Sequence, residues 1–180
     1  MTSKTTDIAL ISATSLAVSQ YHSNIRNNYM EQIVQLNSNA KLSEHFSLGE
    51  FTKSNSHPEV YNVPSHEAIE NLKRVCGWLE VLRERAGTPI RINSGYRSPQ
   101  LNKAIHGVAG SNHMTGCAVD IRVSGMEQLI RYAAILLDYA DESKQDFDEL
   151  LIEKNRYGAI WLHFAVRPKD NRRKVAFINA

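Results

Sequence analysis

One long amphipathic segment, followed by shorter segments with a different period, restricts most strongly what this 180-residue chain can fold into. From Ser65 to Leu82 apolar side chains recur every three or four residues, as they do on the buried face of an α-helix. Gly87 and Pro89 supply the signals that end such a helix. Residues 89–94 then alternate between apolar and polar side chains. The pattern predicts a core-facing helix followed by a strand.

The rest of the chain continues this mixture of helices and strands. Ser47 and Glu50 have capping-box spacing for a short helix, and Ser98 precedes a proline that suits the first turn of another. Residues 107–116 are glycine-rich and predict a loop, and residues 117–123 predict a strand. Residues 150–153 and 160–166 predict the two strands of a hairpin.

A second capping-box pattern, Ser124 to Glu127, predicts the start of the last helix. The apolar residues predicted to lie inside that helix are Leu129, Ile130, Ala133, Leu136 and Leu137. Taken together, the segments indicate the α+β class, with a small, mainly antiparallel sheet packed with helices.

Composition limits the class of protein without indicating a function. Hydrophobic residues make up 42% of the chain and charged residues 22%, which excludes a disordered or collagen-like protein. The net charge of +2 gives no reason to expect nucleic-acid binding. We interpret the basic residues near the C-terminus as a solvated tail: Arg167, Lys169, Arg172, Arg173 and Lys174. No apolar run is long enough to span a membrane.

The first 40 residues differ in character from the rest of the chain. They are rich in Ser, Thr, Asn and Gln, and helical spacing over residues 20–36 predicts a partly helical extension. Residues 8–18 are too polar for a convincing signal peptide, so we expect synthesis in the cytoplasm without export by this segment. The compact domain is predicted over residues 41–180. Cys76 and Cys117 are expected to be small buried thiols, and the sequence leaves open whether they meet.

Three residues of the compact domain predict a metal site. His113 lies at the end of the loop, and Asp120 lies in the strand that follows. His163 lies in the last predicted strand, on the face opposite that of its two apolar neighbours. Two imidazoles and one carboxylate are the ligands of a catalytic zinc that keeps a fourth position for water. We therefore predict a site for one Zn²⁺.

Three motifs carry a resemblance to a known family. They are Ser94-Gly-Tyr-Arg97-Ser, then Ser111-x-His113-x-x-Gly116-x-Ala118-x-Asp120, then Trp161-x-His163. In this order and spacing they resemble the zinc D-Ala-D-Ala carboxypeptidase family, which includes phage L-alanyl-D-glutamate endopeptidases and has vancomycin-resistance dipeptidases as relatives. The resemblance covers roughly residues 42–170. It implies the hedgehog/D-Ala-D-Ala-peptidase-like form of the α+β fold and the same three zinc ligands.

The resemblance also implies residues that bind substrate. Arg97 would hold a substrate carboxylate or lie near the developing oxyanion, because its planar fork can grip a carboxylate through two parallel hydrogen bonds. Tyr96 could line the substrate pocket, and Ser111 and Asn112 could orient His113 or donate a hydrogen bond to the substrate. Roles in capping the loop are equally open for these residues.

The position of the general base differs from that in many relatives, which have a Glu or His a few residues before the last ligand. Those positions here are occupied by Gly158, Ala159 and Ile160. We prefer Glu153 as the catalytic base, because the hairpin would bring it across from Trp161 and diagonal to the last histidine. The alternatives are Glu149 and Asp148.

The implied activity is zinc-dependent hydrolysis of an amide bond in peptidoglycan peptides. The enzyme would be a D-Ala-D-Ala carboxypeptidase or an endopeptidase for an L-Ala-D-Glu or crosslink bond, acting at the bacterial cell wall as a phage or prophage lytic enzyme. One alternative is a non-catalytic, zinc-containing module that binds the cell wall or a particle. Another is a regulatory or structural protein in which Asp120 and the histidines are scattered. The sequence leaves the oligomeric state open.

Overall fold

The computed structural model describes residues 38–179. Its helices are α1 (Leu48–Thr52), α2 (His66–Ala86), α3 (Pro99–Ala104) and α4 (Met126–Ser143), with a 3₁₀ turn at Asn112–Thr115. Its strands are β1 (Ile92–Ser94), β2 (Ala118–Arg122), β3 (Glu149–Lys154), β4 (Ile160–Ala165) and β5 (Lys174–Asn179). The predicted α+β class is confirmed. The predicted extension, with its helix over residues 20–36, falls almost entirely outside the described residues, and the boundary at residue 40 stays a prediction.

The five strands form one sheet in the order β1-β2-β4-β3-β5. The pairs β1–β2, β2–β4 and β3–β4 are antiparallel, and β3–β5 is parallel. The predicted hairpin is the β3–β4 pair, with Glu153 opposite Trp161 as expected. The sheet is therefore mainly antiparallel, and the parallel edge strand β5 was not predicted from the sequence.

Helix α2 packs against the sheet, and its two ends lie where the capping signals in the sequence predict them. The side chain of Ser65 accepts a hydrogen bond from the backbone of Ala68 at the start, and Gly87 ends the helix in the left-handed conformation. Its apolar face is buried, and Trp78 packs against Phe164 of β4 with 5.3 Å between ring centroids. No helix in residues 38–179, α2 included, is long and apolar enough to cross a membrane.

Alternation along the strands gives the sheet two different faces. Val119, Ile121, Leu162 and Phe164 are fully buried on the face that packs against the helices. The intervening residues of β2 and β4 lie on the opposite face, and buried polar side chains are among them. The helices thus cover one face and leave the other available for a site.

The start of α4 differs from the predicted capping box. The N-cap is Gly125, whose side chain is a hydrogen atom, and the backbone of Ser124 instead donates to the side chain of Gln128 at 2.7 Å. Ile130 is 57% exposed, so its predicted burial is wrong. The buried face of α4 consists of Leu129, Tyr132, Ala133, Leu136 and Ala140.

The two cysteines are both buried and both free thiols, as expected. Burial raises the pKa of Cys76 to about 12, so this thiol stays protonated at neutral pH.

The basic C-terminal residues are not a solvated tail, because they belong to β5 and the segment that leads into it. Asp148 has a fully buried side chain, and it accepts hydrogen bonds from Arg172 at 2.7 Å and from Arg167 at 3.3 Å. Arg173 pairs with Asp146 at 3.0 Å. These ion pairs attach β5 to the edge of the sheet, and the sequence prediction missed them because it treated the cluster as a run of charge.

Asp148 should make stability depend on pH. Burial acts to raise its pKa, but the hydrogen bonds from Arg172 and Asn112 outweigh burial and lower the pKa below its usual range. A carboxyl with a depressed folded-state pKa stabilises the protein above its unfolded-state pKa, and that contribution is lost as pH falls through the folded-state pKa. We expect Asp148→Asn to lower the free energy of unfolding by about 3 kcal/mol at pH 7.

Urea unfolding followed by tryptophan fluorescence measures this difference. It should shrink when the titration is repeated in acid, as the pH falls from the unfolded-state pKa of about 3.9 through the lower folded-state pKa, whereas the exposed-site variant Asp138→Asn should match the parent protein at both pH values. A difference that is equally large in acid would show that the charge of Asp148 is not what stabilises β5.

Candidate metal centre

The three predicted metal ligands lie together on the polar face of the sheet. Asp120 of β2 is directly opposite His163 of β4, and His113 reaches them from the 3₁₀ turn. Oδ1 of Asp120 lies 2.9 Å from Nδ1 of His163 and 3.3 Å from Nε2 of His113. The two imidazole nitrogens are 3.3 Å apart, and all three side chains are buried. One atom from each residue therefore faces a common point, within 4.8 Å of the others.

The turn that carries His113 requires a glycine. Gly116 ends the turn with φ +73°, a conformation that side chains with a Cβ rarely adopt. A Cβ at this position would lie 2.3 Å from the carbonyl oxygen of Ala68 in α2. Asn71 of the same helix donates to the backbone oxygen of Thr115 at 2.9 Å. Close contact with α2 thus fixes the position of the first histidine.

A second glycine fixes the ring of His113. The backbone oxygen of Gly95 lies 2.6 Å from Nδ1 of His113, which places the proton on Nδ1 and leaves Nε2 for a metal. A Cβ at Gly95 would lie 2.7 Å from Phe51 of α1, so the backbone can approach the core this closely only without a side chain. The glycines of the first two motifs therefore act on the same histidine.

Arg97 lies beside the three ligands and binds one of them. Its Nη2 donates to Oδ2 of Asp120 at 2.9 Å, and its Nε donates to Ser94 at 3.1 Å. The guanidinium therefore holds the carboxylate oxygen that faces away from the two histidines. In this structure the carboxylate held by Arg97 is that of Asp120. Binding of a substrate carboxylate by Arg97 stays a prediction.

Burial and charge shift the pKa values of the three ligands in different directions. At His113 burial dominates and lowers the pKa. At Asp120 burial acts to raise the pKa, but the charges and hydrogen bonds of the two histidines outweigh it and hold the pKa far below its usual range. At His163 burial acts to lower the pKa, yet the hydrogen bond with Asp120 and the nearby carboxylate of Glu149 raise it to about 9. The carboxylate is thus ionised, and the proton held by His163 is one that a bound metal would displace.

The candidate general bases differ in their surroundings. Glu153 is half-buried on the same sheet face as His163, and burial followed by the charge of Asp120 raises its pKa. Interaction with His163, assisted by Lys174 and opposed by burial, lowers the pKa of Glu149 to about 2. A base with a raised pKa accepts a proton near neutral pH more readily. The electrostatics therefore favour Glu153 over Glu149.

The remaining predicted residues take up positions close to the ligands. Tyr96 is buried with 8% of its surface exposed, and burial raises the pKa of its phenol. The hydroxyl of Ser111 accepts a hydrogen bond from the backbone of His113 at 3.4 Å, and so caps the 3₁₀ turn. The capping role left open for Ser111 is thus the one that this contact supports. Substrate binding by Tyr96 and Ser111 stays a prediction.

One neighbour of the ligands was missed in the sequence. Gly95 contributes a backbone carbonyl, which no side-chain pattern reveals. Asn112 donates to Glu149 at 3.0 Å and to Asp148 at 2.7 Å, and so joins the 3₁₀ turn to β3. Strand alternation could have indicated that Glu149 shares the face of His163, because its position is two residues before Leu151, the cross-strand partner of that histidine.

The donor set fits one zinc ion. Zinc in catalytic sites takes imidazole nitrogen and carboxylate oxygen from three protein ligands. Within residues 38–179 the nitrogen atoms that face the common point have no backbone partner, while Nδ1 of His113 already has the Gly95 carbonyl. An α+β domain that buries such a set on one sheet face has the form of a mononuclear metallohydrolase.

Comparison with known families agrees with that class. The sequence model of the family described as Peptidase M15 matches residues 44–144, which is more than half of the chain. The chain belongs to this family of zinc D-Ala-D-Ala carboxypeptidase-like metallopeptidases. The match includes His113 and Asp120 and ends before β3, so the positions of Glu153 and His163 rest on the geometry alone. A search of curated proteins found no match.

Replacing Gly116 tests how the turn positions His113. Gly116→Ala should lower the free energy of unfolding by at least about 2 kcal/mol, because the left-handed backbone and the contact with Ala68 both resist a methyl group. The matched control is Gly77→Ala, since a Cβ at Gly77 in the exposed face of α2 meets nothing within 4 Å. That control should stabilise the helix by about 0.5–1 kcal/mol.

Chemical denaturation measures both changes, and zinc titration of the folded variants measures the effect on the site. Equal stability of the two alanine variants would contradict the requirement for glycine at the end of the turn.

Proposed function

We propose that this protein hydrolyses an amide bond in the peptide part of peptidoglycan, with one zinc ion held by His113, Asp120 and His163. The observation that carries the proposal is the convergence of these three side chains, which come from a turn and two strands, on one buried point. Membership of a metallopeptidase family supports the class of reaction. The choice between a carboxypeptidase and an endopeptidase for an L-Ala-D-Glu or crosslink bond stays open.

Zinc at this position would supply Lewis-acid polarisation of the scissile carbonyl and activation of a water molecule. Glu153 is the residue that we assign to proton transfer. It would take a proton from the attacking water and pass it to the leaving amine, which is the work of a general base that then acts as a general acid. Its half-buried position on the face of His163 and its raised pKa support this role.

Arg97 would stabilise negative charge on the substrate. Its Nε and Nη2 groups bond Ser94 and Asp120, and its Nη1 group takes part in neither bond. Nη1 is therefore the part of the fork that we assign to a substrate carboxylate or to the developing oxyanion. The ion pair with Asp120 holds the guanidinium next to the metal position, with 15% of its side chain exposed.

The proposed substrate sets the place of action. Peptidoglycan peptides are found in the bacterial cell wall, and we propose that the enzyme acts there as a phage or prophage lytic enzyme. A non-catalytic module that binds the wall is the competing function. It would bind zinc and peptidoglycan and release no new amine.

Substitution of Glu153 separates these functions. Glu153→Gln keeps the shape of the side chain but removes the base, so it should retain one zinc per chain and lose about 10²–10⁴-fold in kcat. His113→Ala and Asp120→Ala should lose both zinc and turnover. The control is Glu127→Gln on α4, whose side chain is 89% exposed and which should behave as the parent protein.

Elemental analysis measures bound zinc, and mass spectrometry of digested muropeptides measures turnover and identifies the bond. Full activity of Glu153→Gln would show that another residue is the base. A parent protein that binds zinc and sacculi without producing any new amine would favour the non-catalytic module.

A further inference from the structure

The structure gives two of the three ligands a hydrogen-bond partner outside the metal position. Nδ1 of His113 faces the carbonyl of Gly95, and Oδ2 of Asp120 accepts from Arg97. The corresponding atom of His163 is Nε2, because its Nδ1 faces Asp120. Nε2 is buried and forms no hydrogen bond within residues 38–179, and the carboxylate of Glu149 lies 3.6 Å from it.

We propose that Glu149 is the positioning residue of His163. Its carboxylate accepts the proton of Nε2, which fixes the ring and leaves Nδ1 as the atom that binds the metal. This inference rests on the proposed metal site and extends it to a residue outside the three ligands. A separation of 3.6 Å exceeds a formed hydrogen bond by about 0.6 Å, so the assignment includes a small movement that closes this distance.

The surroundings of Glu149 hold its carboxylate in the required place. Oε1 pairs with Arg172, which lies two residues before β5, at 3.0 Å and with Lys174, the first residue of β5, at 3.2 Å. Oε2 accepts from Asn112 at 3.0 Å and faces His163. One oxygen is thus fixed by cations at the sheet edge, and the other is directed to the imidazole. A carboxylate partner of this kind orients a metal-binding histidine and strengthens its binding.

Glu149 is unsuited to the two other roles that a carboxylate beside a metal site could have. Its carboxylate faces Nε2 of His163, and the group of possible ligand atoms that lie within 4.8 Å of one another consists of His113, Asp120 and His163 without Glu149. Glu149 is therefore placed beside the ring of His163 and outside the group of ligand atoms. Its two oxygens are committed to Arg172, Lys174 and Asn112, whereas a general base needs an oxygen that is open to water.

Zinc affinity is the measurement that tests this assignment. In the full chain, Glu149→Ala should weaken zinc binding by about 10–100-fold in competition with a chelator. Glu149→Gln should fall between Glu149→Ala and the parent protein, because its amide oxygen can still accept the Nε2 proton. The control is Glu142→Gln, which removes a surface glutamate that is 60% exposed and also pairs with an arginine. It should bind zinc as the parent protein does.

Histidine ring signals supply a readout that a general loss of stability would not change. In the zinc-loaded protein labelled with ¹⁵N-histidine, long-range ¹H–¹⁵N correlations should show the proton of His163 on Nε2. In Glu149→Ala that proton should exchange faster with water. At saturating zinc the variant should recover most of its hydrolysis, in contrast to Glu153→Gln.

Unchanged zinc affinity in Glu149→Ala would overturn the assignment, and so would a metal bond to Nε2 of His163. A parent protein that binds zinc but cleaves no muropeptide would contradict the proposed function alone, since the affinity comparison still decides the role of Glu149. A parent protein that binds no zinc would overturn both.

Discussion

The antiparallel register between β2 and β4 is the constraint on which the rest of the site depends. It places Asp120 directly opposite His163, with Val119 and Ile121 on the reverse face next to Phe164 and Leu162. Because side chains alternate along a strand, a slip of one residue would move His163 to the helix side and Phe164 to the polar side. Burial of the apolar side chains against α2 and α4 resists that slip. The hydrophobic core therefore determines the register, and the register determines the ligand set.

The site is also assembled from contacts that differ in kind. A backbone carbonyl orients His113, a guanidinium holds Asp120, and a carboxylate faces His163. Each partner suits the charge of the ligand that it contacts, because the imidazoles need an acceptor and the carboxylate needs a donor. The glycines at 95 and 116 are part of the same arrangement, since they let α1 and α2 approach the backbone next to His113. Packing and electrostatics thus act on the same few atoms.

Much of this arrangement could be predicted from the sequence, because it follows from local periodicity. The caps and the apolar face of α2 were correct, and the hairpin placed Glu153 opposite Trp161. Contacts between distant segments were harder to foresee. Strand β5 begins at the end of a run of basic residues, which was interpreted as a solvated tail. The strand that follows was therefore not predicted. The predicted N-cap of α4 was wrong because a sequence pattern does not fix the backbone conformation. Ser124 matches the capping pattern, but the helix begins one residue later, with Gly125 as its N-cap.

The order of translation gives β5 a further significance. Arg172 and Lys174 are synthesised after all three metal ligands, and β5 pairs with β3 in parallel at the edge of the sheet. A nascent chain that has just grown beyond His163 contains every ligand atom and lacks the cations that hold Glu149. On the assignment of Glu149 made above, the full support of the third histidine depends on two cations that follow every ligand in the chain. The edge strand that closes the sheet is therefore also part of the apparatus that holds the metal.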